Sequence, residues 1–253
     1  MQPIDFQELA CRECAQACDL GFDFSMAFQP IVDVSTKTVF AKEALVRGTN
    51  GEGAGEVFKH VTEDNRYRFD QSCRVKAIKL AAELGITSYL CINFLPNAVY
   101  KPELCIRTTL AAAKNYDFDP RKIIFEFTEN ERIIDHDHLI NIVNHYQQLG
   151  FTTAIDDFGS GYNGLGLLSD VKVDISKIDM QLVRDIDQDT TKQKIVQHTV
   201  NLLNDLGQRI IAEGIETEAE YRTLRAMGIT LFQGFLFAKP SFEAVPDIYW
   251  PED

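Results

Sequence analysis

Six short apolar runs in this chain carry or end on a carboxylate, carboxamide or ammonium group: residues 39–47, 89–93, 123–129, 153–157, 173–177 and 210–216. Between most of them lie stretches of helical length and pattern. Strands alternating with helices build α/β folds, and at this chain length the pattern predicts a (β/α)8 TIM-like barrel. In a parallel barrel every strand ends at the same rim, so groups far apart in sequence converge. The rim predicted here holds Glu43, Asn93, Glu126, Asp156, Asp157, Lys177, Glu213 and Glu216. Five or more carboxylates do not stay ionised side by side without cations among them. Hard oxygen ligands in that number point to a divalent metal, Mg²⁺ or Mn²⁺.

Length and charge narrow the field. A chain of 253 residues has the size of one such barrel. Residues 1–24 read as a helical leader and residues 25–253 as the barrel. The net charge of −13 argues against a nucleic-acid polymer as partner, because that would need a basic face to displace counterions. It does not exclude a phosphate-bearing small molecule, since bound cations would reverse the local field. No apolar run reaches membrane-spanning length. Residues 1–18 lack the apolar stretch of a signal peptide, so a cytoplasmic location is expected. Disulfides among the six cysteines are therefore not expected. Cys91, in an apolar run, reads as a small core residue. Cys11, Cys14 and Cys18 share one helical face, which reads as a packing face; a metal or redox sensor there would lack a fourth ligand.

The first two strands are expected at 26–34 and 38–47. The gap between them is too short for a helical crossover, so they are expected to pair antiparallel, a departure from a regular barrel. Further strands are expected at 88–95, 122–128, 152–157, 173–178, 209–213 and 229–234. Helices are expected at 65–84, stopped by Gly85, then at 102–115, at 137–149, ended by Gly150, and at 191–206. The last of these is expected to bury Ile195, Thr199, Leu202, Leu203 and Leu206. Thr217 and Glu220 have capping-box spacing and start another helix. A short helix or coil closes the chain.

Asp156 and Asp157 are neighbours, and consecutive strand residues point to opposite faces. Both reach one site only if the strand has ended, and the following Phe-Gly-Ser-Gly run says that the chain is turning. Asn93, Glu43 and Glu126 interrupt apolar strands, and each needs a hydrogen-bond partner or a cation. Glu43 could pair with Arg47 on the same strand face, or Arg47 could hold a phosphate. Lys177 could hold or deprotonate a water, or act as countercharge to Asp157 or Asp174. His136 and His138 read as surface residues beside a helix N-cap at Asp135 or Asp137. No Ser-His-Asp order, phosphate-binding P-loop or zinc-type Cys/His spacing is present. Two reaction classes fit: metal-assisted phosphodiester hydrolysis and enolase-type proton abstraction by lysine. The adjacent aspartates favour the first.

The motifs FQPIV, KEALVRG, CINF, FEFTEN, AIDDFGSGY, VDISKID, AEGIET and FQGFLFAKP, in this order between residues 24 and 240, resemble the EAL-domain family of cyclic di-GMP phosphodiesterases. The signature stands as Glu43-Ala44-Leu45. The resemblance implies a (β/α)8-like barrel with one antiparallel strand near the N-terminus. It implies hydrolysis of cyclic di-GMP to linear pGpG with two Mg²⁺ or Mn²⁺ ions, inhibition by Ca²⁺, and a homodimer. By position, Glu43, Asn93, Glu126 and Asp156 match ligands of the first ion, and Asp156, Asp157 and Glu213 those around the second. Lys177 matches the lysine that contacts the attacking water. Glu216 and Gln233 match residues that organise metal-bound waters, so the implied catalytic set is Lys177, Glu43, Glu213, Glu216 and Gln233. Gln29, Arg47, Asp179 and Pro240 match substrate contacts, and Glu129 the acid that steadies the loop after Asp157. The alternative is an inactive cyclic di-GMP receptor acting through protein contacts. Such barrels are often fused to sensors, so a sensor or partner protein is an open expectation.

Overall fold

The computed structural model describes residues 20–128, 135–161 and 164–252. The expected helical leader, with Cys11, Cys14 and Cys18, falls outside these residues up to position 19, and residues 20–24 are irregular. Eight strands close a barrel: β1 (Ser25–Asp33), β2 (Thr38–Arg47), β3 (Tyr89–Asn93), β4 (Ile123–Thr128), β5 (Thr152–Phe158), β6 (Ile175–Ile178), β7 (Arg209–Ala212) and β8 (Leu231–Phe232). β2 through β8 pair in parallel in chain order. β1 closes the ring, antiparallel to both β2 and β8. The antiparallel pairing expected from the short turn is therefore present. A ninth strand, β9 (Ser241–Phe242), adds to the edge of β1 where only helix or coil was expected. Two residues of pairing give too little pattern to read.

The helices on the outside are α1 (Ala54–Phe58), α2 (Arg66–Glu83), α3 (Pro102–Asn115), α4 (His136–Gln148), α5 (Gly164–Asp170), α6 (Met180–Val183), α7 (Thr190–Asp205) and α8 (Glu218–Ala226). Their ends follow the local chemistry. Asp135 accepts from the backbone N–H of His138 at the start of α4, and Asp189 caps α7. Thr217 and Glu220 form the expected capping box of α8. Gly85 and Gly150 take left-handed conformations after α2 and α4, with φ of 65° and 88°. The buried stripe of α7 is Val196, Val200 and Leu203. Of the expected face only Leu203 is buried; Ile195, Leu202 and Leu206 are 46%, 36% and 50% exposed, so the buried stripe lies to one side of the face expected. Both stripes carry apolar residues at helical spacing, and only the barrel wall decides between them.

Inside the barrel one rule repeats on every strand. Ile31, Ala41, Cys91, Ile124, Ala154, Ile175, Ile211 and Leu231 form a closed apolar plug. Side chains on a strand alternate between faces, so the residue two positions nearer the rim points the same way. Those residues are Gln29, Glu43, Asn93, Glu126, Asp156, Lys177, Glu213 and Gln233. Each strand, or its immediate extension, thus delivers one polar side chain above a sealed floor. Cys91 belongs to that floor and is fully buried, as expected.

Candidate active site

The polar ring centres on Lys177. Its side chain is fully buried, and its Nζ lies 2.7 Å from Glu213, 2.8 Å from Asp156, 3.1 Å from Glu126 and 3.4 Å from Glu43. Asp174, one of its expected partners, instead accepts from the Thr153 backbone and hydroxyl and from Gln147. Glu43 accepts from Asn93 Nδ2 at 2.8 Å and from Gln233 Nε2 at 2.6 Å. Gln233 also donates to Gln29 Oε1 at 3.2 Å, and Gln29 donates to the Ala238 carbonyl. The alternative pairing of Glu43 with Arg47 is not formed: Arg47 donates to the Val46 carbonyl. Asn93 is exposed at the rim and lines the cavity there, with its amide nitrogen donated to Glu43.

Four carboxylates surround one ammonium, and if all four were ionised three negative charges would stand uncompensated at the centre of this ring. The electrostatics register the excess. Burial, and then the charges of Glu43 and Asp156, push the Glu126 carboxyl up to about 8 against the pull of Lys177. Burial and Asp156 likewise hold Glu213 well above the usual carboxylate range. Burial would strip Lys177 of its proton, but the four surrounding acids outweigh it and hold the ammonium charged. Two oxygens, Glu126 Oε1 and Gln233 Oε1, are buried without a hydrogen-bond partner. An oxygen in that position costs free energy until something positive reaches it. Ligand atoms of Glu43, Glu126 and Asp156 lie within 4.8 Å of one another, as do those of Asp156, Asp157 and Glu213. Asp156 belongs to both groups. This donor set fits two hard divalent cations sharing one bridging carboxylate.

Asp157 reaches the site by an unexpected route. The strand does not end before it: β5 runs on to Phe158, and its register with β6 shifts between Ile155 and Phe158. Asp157 sits in the left-handed region at φ 55°, so this irregularity turns it to the same side as Asp156. Thr128 Oγ1 donates to Asp157 Oδ2 at 3.1 Å. Such a conformation is costly for a residue with a side chain and tends to mark functional sites. At β8, a Cβ on Gly234 would lie 2.1 Å from the Ile215 carbonyl oxygen, so glycine is required for the approach that seats Gln233.

The remaining expected residues lie around the ring. Glu216 is half exposed and pairs with Arg184 at 2.7 Å. Asp179 caps α6 through the Gln181 amide, and Pro240 is half-buried near the Gln29 contact. Glu129 lies outside the described residues. His136 is exposed as expected, whereas His138 is half-buried with its ring on the Val99 carbonyl. Two cavities meet at Asp157. One, of about 430 Å³, is mostly apolar and includes Phe58, Phe69, Asn93, Phe94 and Asp156. The other, of about 610 Å³, is lined mostly by polar residues, among them Ser160, Asp179, Arg184 and Lys192. The polar ring was only partly legible: Gln29 and Gln233 came from resemblance alone. Their signal is the two-residue offset from Ile31 and Leu231, which shows once the plug is known.

A family model described as EAL domain matches residues 12–240. The chain belongs to the EAL-domain family. A standalone versatile EAL protein from Vibrio cholerae O395, in its c-di-GMP-bound crystal form, is 57% identical with a TM-score of 0.89, over 91% of this chain and 98% of that one. The manganese/cy-diGMP complex of Klebsiella pneumoniae BlrP1 is 37% identical with a TM-score of 0.85, over 90% of this chain and 58% of that one. Among curated relatives, the blue light- and temperature-regulated antirepressor BluF of Escherichia coli K12 is 32% identical over 89% of this chain. The cyclic di-GMP phosphodiesterase PA2567 of Pseudomonas aeruginosa is 28% identical over 89% of this chain. The chain spans 56% and 40% of the lengths of these two relatives. Among the described residues of this EAL chain, no helix is long and apolar enough to cross a membrane.

Proposed function

We propose that this EAL chain hydrolyses cyclic di-GMP to linear pGpG with two divalent cations, Mg²⁺ or Mn²⁺. The observation that carries the reading is the shared Asp156, which stands in both triads of converging carboxylates. In this reading Glu43, Asn93, Glu126 and Asp156 hold one ion, and Asp156, Asp157 and Glu213 hold the other. Held by these residues, such ions would supply Lewis-acid chemistry, making a bound water more acidic and offsetting phosphoryl charge. Gln233 and Asn93 fix the Glu43 carboxylate by donating to both of its oxygens. Lys177, charged and fully buried, orients the attacking water and steadies negative charge developing beside it. Arg47 holds a phosphate, and Asp179 and Pro240 contact the nucleotide. The two cavities meeting at Asp157 suit a substrate with two similar halves laid across the rim. Glu216 takes its water-ordering role only by turning from Arg184, and Glu129 keeps the loop role that the resemblance implies. Ca²⁺ inhibits because it prefers more ligands at longer distances than this tight cluster offers. A homodimer and a cytoplasmic location complete the proposal.

One relative is named for antirepression, which favours a second reading, a receptor that binds the nucleotide and acts through protein contacts. Product chromatography decides between them. Incubated with cyclic di-GMP and Mn²⁺, the protein is expected to release pGpG, and a chelator to stop it. Nucleotide bound but uncut in Mg²⁺ and in Mn²⁺ would leave the receptor reading standing.

A further inference from the structure

The rim end of β3 is held from outside the barrel by α2. Asp70 and Arg74, one turn apart on that helix, are both buried and pair at 2.7 Å. The Arg74 guanidinium lies 5.5 Å from the ring centre of Phe94, 5.2 Å from that of Phe125 and 5.9 Å from that of Tyr146. It also donates to the Tyr146 hydroxyl at 2.9 Å. The second Asp70 oxygen accepts the backbone N–H of Leu95 at 3.0 Å. Leu95 is two residues beyond Asn93. The residue between them, Phe94, donates its own N–H to the Glu126 carbonyl at 2.9 Å. The chain leaving Asn93 is thus pinned twice, once to the strand that carries Glu126 and once to the buried carboxylate of Asp70.

Stability alone does not account for this pair. Apolar side chains of similar volume commonly replace a buried ion pair at no cost, or with a gain. What apolar side chains cannot do is accept the Leu95 amide. Asp70, Asn93, Phe94 and Leu95 also face the same cavity as Asp156 and Asp157. We propose that Asp70, oriented by Arg74 and Tyr146, is a positioning residue for Asn93: by holding the Leu95 amide it sets where the Asn93 carboxamide meets the carboxylates, and so how tightly the site takes a divalent cation. The inference rests on the two-cation reading. Partners that orient ligands from outside typically change metal affinity by roughly 10–100-fold when removed.

The test compares two triple variants that differ only at position 70. Asp70→Leu/Arg74→Met/Tyr146→Phe removes the acceptor together with the ion pair and its hydroxyl partner, so that the Leu95 N–H and the buried Gln71 carboxamide lose their contact with position 70. Asp70→Asn/Arg74→Met/Tyr146→Phe removes the same charges but keeps an acceptor oxygen for Leu95. Mn²⁺ binding by calorimetry and thermal melting are measured on both and on the parent. The leucine variant is expected to bind Mn²⁺ roughly tenfold or more weakly. The asparagine variant is expected to stay close to the parent. A further single variant, Leu95→Pro, deletes the donor and leaves the ion pair intact; Leu95 is extended at φ −98° and ψ 108°, so proline asks for a turn of about 30° in φ, and its melting curve shows whether the fold takes it. It is expected to lose Mn²⁺ affinity as the leucine variant does, and it carries the test if that variant does not melt cooperatively. Parent-like Mn²⁺ binding in folded leucine or proline variants overturns the inference alone. No Mn²⁺ uptake by the parent overturns the two-cation reading and this inference with it.

Discussion

At Lys177 one ammonium faces four acids, so losing the lysine and losing an acid are different injuries. Asp156→Asn keeps the shape but removes the carboxylate shared by both triads. Its turnover is expected to fall by more than the roughly hundredfold typical of outer-shell partners, with an unchanged circular dichroism spectrum. A folded Asp156→Asn protein with parental turnover would remove Asp156 from the metal site. Lys177→Met leaves the acids without their countercharge. In chelator it is expected to lose about 3–5 kcal/mol of stability by urea denaturation, much of it recovered in Mn²⁺. Its kcat is expected to fall by about 10²–10⁴-fold with little change in KM. Equal loss in both would make Lys177 a binding residue instead. At this scale the sequence was legible where charge interrupts an apolar strand, as at Glu43, Glu126 and Lys177. It was not legible where the partner depends on three-dimensional closure. Lys177 reaches Glu43 across the barrel, and no local rule selects that acid over Asp174.

Among the elements, the start of α8 offers a stability test away from the chemistry. Glu220 is buried and accepts the backbone N–H groups of Asp185, Glu216 and Thr217, with Arg184 beside it. Burial pushes its carboxyl up, but those N–H groups and Arg184 outweigh burial and hold it below the usual glutamate range. A depressed pKa means that the folded state prefers the carboxylate. The stabilisation is therefore fully present above the unfolded glutamate's pKa and is lost as pH falls through the lower folded value. Glu220→Gln is expected to cost about 1–3 kcal/mol at pH 7, measured by urea denaturation. The gap from the parent is expected to shrink in acid. A gap that stays constant or widens would place the stabilisation elsewhere. The Thr217–Glu220 box was readable because capping is local, within four residues. The buried face of α7, the left-handed turn at Asp157 and the pairing of β9 were not, because each is decided by what lies against it. Val196 and Ile195 are equally apolar; the barrel buries one and exposes the other.

For the molecule as a whole, an excess of negative charge sits at the mouth of a rigid wall. Cations bound there stabilise only the folded state, by about 2.7 kcal/mol at a hundred times their dissociation constant. Mn²⁺ is therefore expected to raise the melting temperature, and chelator to reverse the rise. A melting temperature indifferent to Mn²⁺ would mean that the acids do not bind it. The barrel itself was visible in the sequence because strands alternate with helices and six apolar runs end in polar groups.

The reversal of β1 sets where the chain enters that barrel. Ser25 lies opposite Arg47, at the end of β2 nearest the acids, and Asp33 opposite Thr38, at the far end. Had β1 run with its neighbours, the approach to it would come up from the sealed base. Instead the approach is made along the lip. Phe22 and Phe24 stack on Phe69 there, beside the apolar cavity. A pull or twist applied ahead of Ser25 would be felt first at the mouth, and only afterwards by the scaffold beneath.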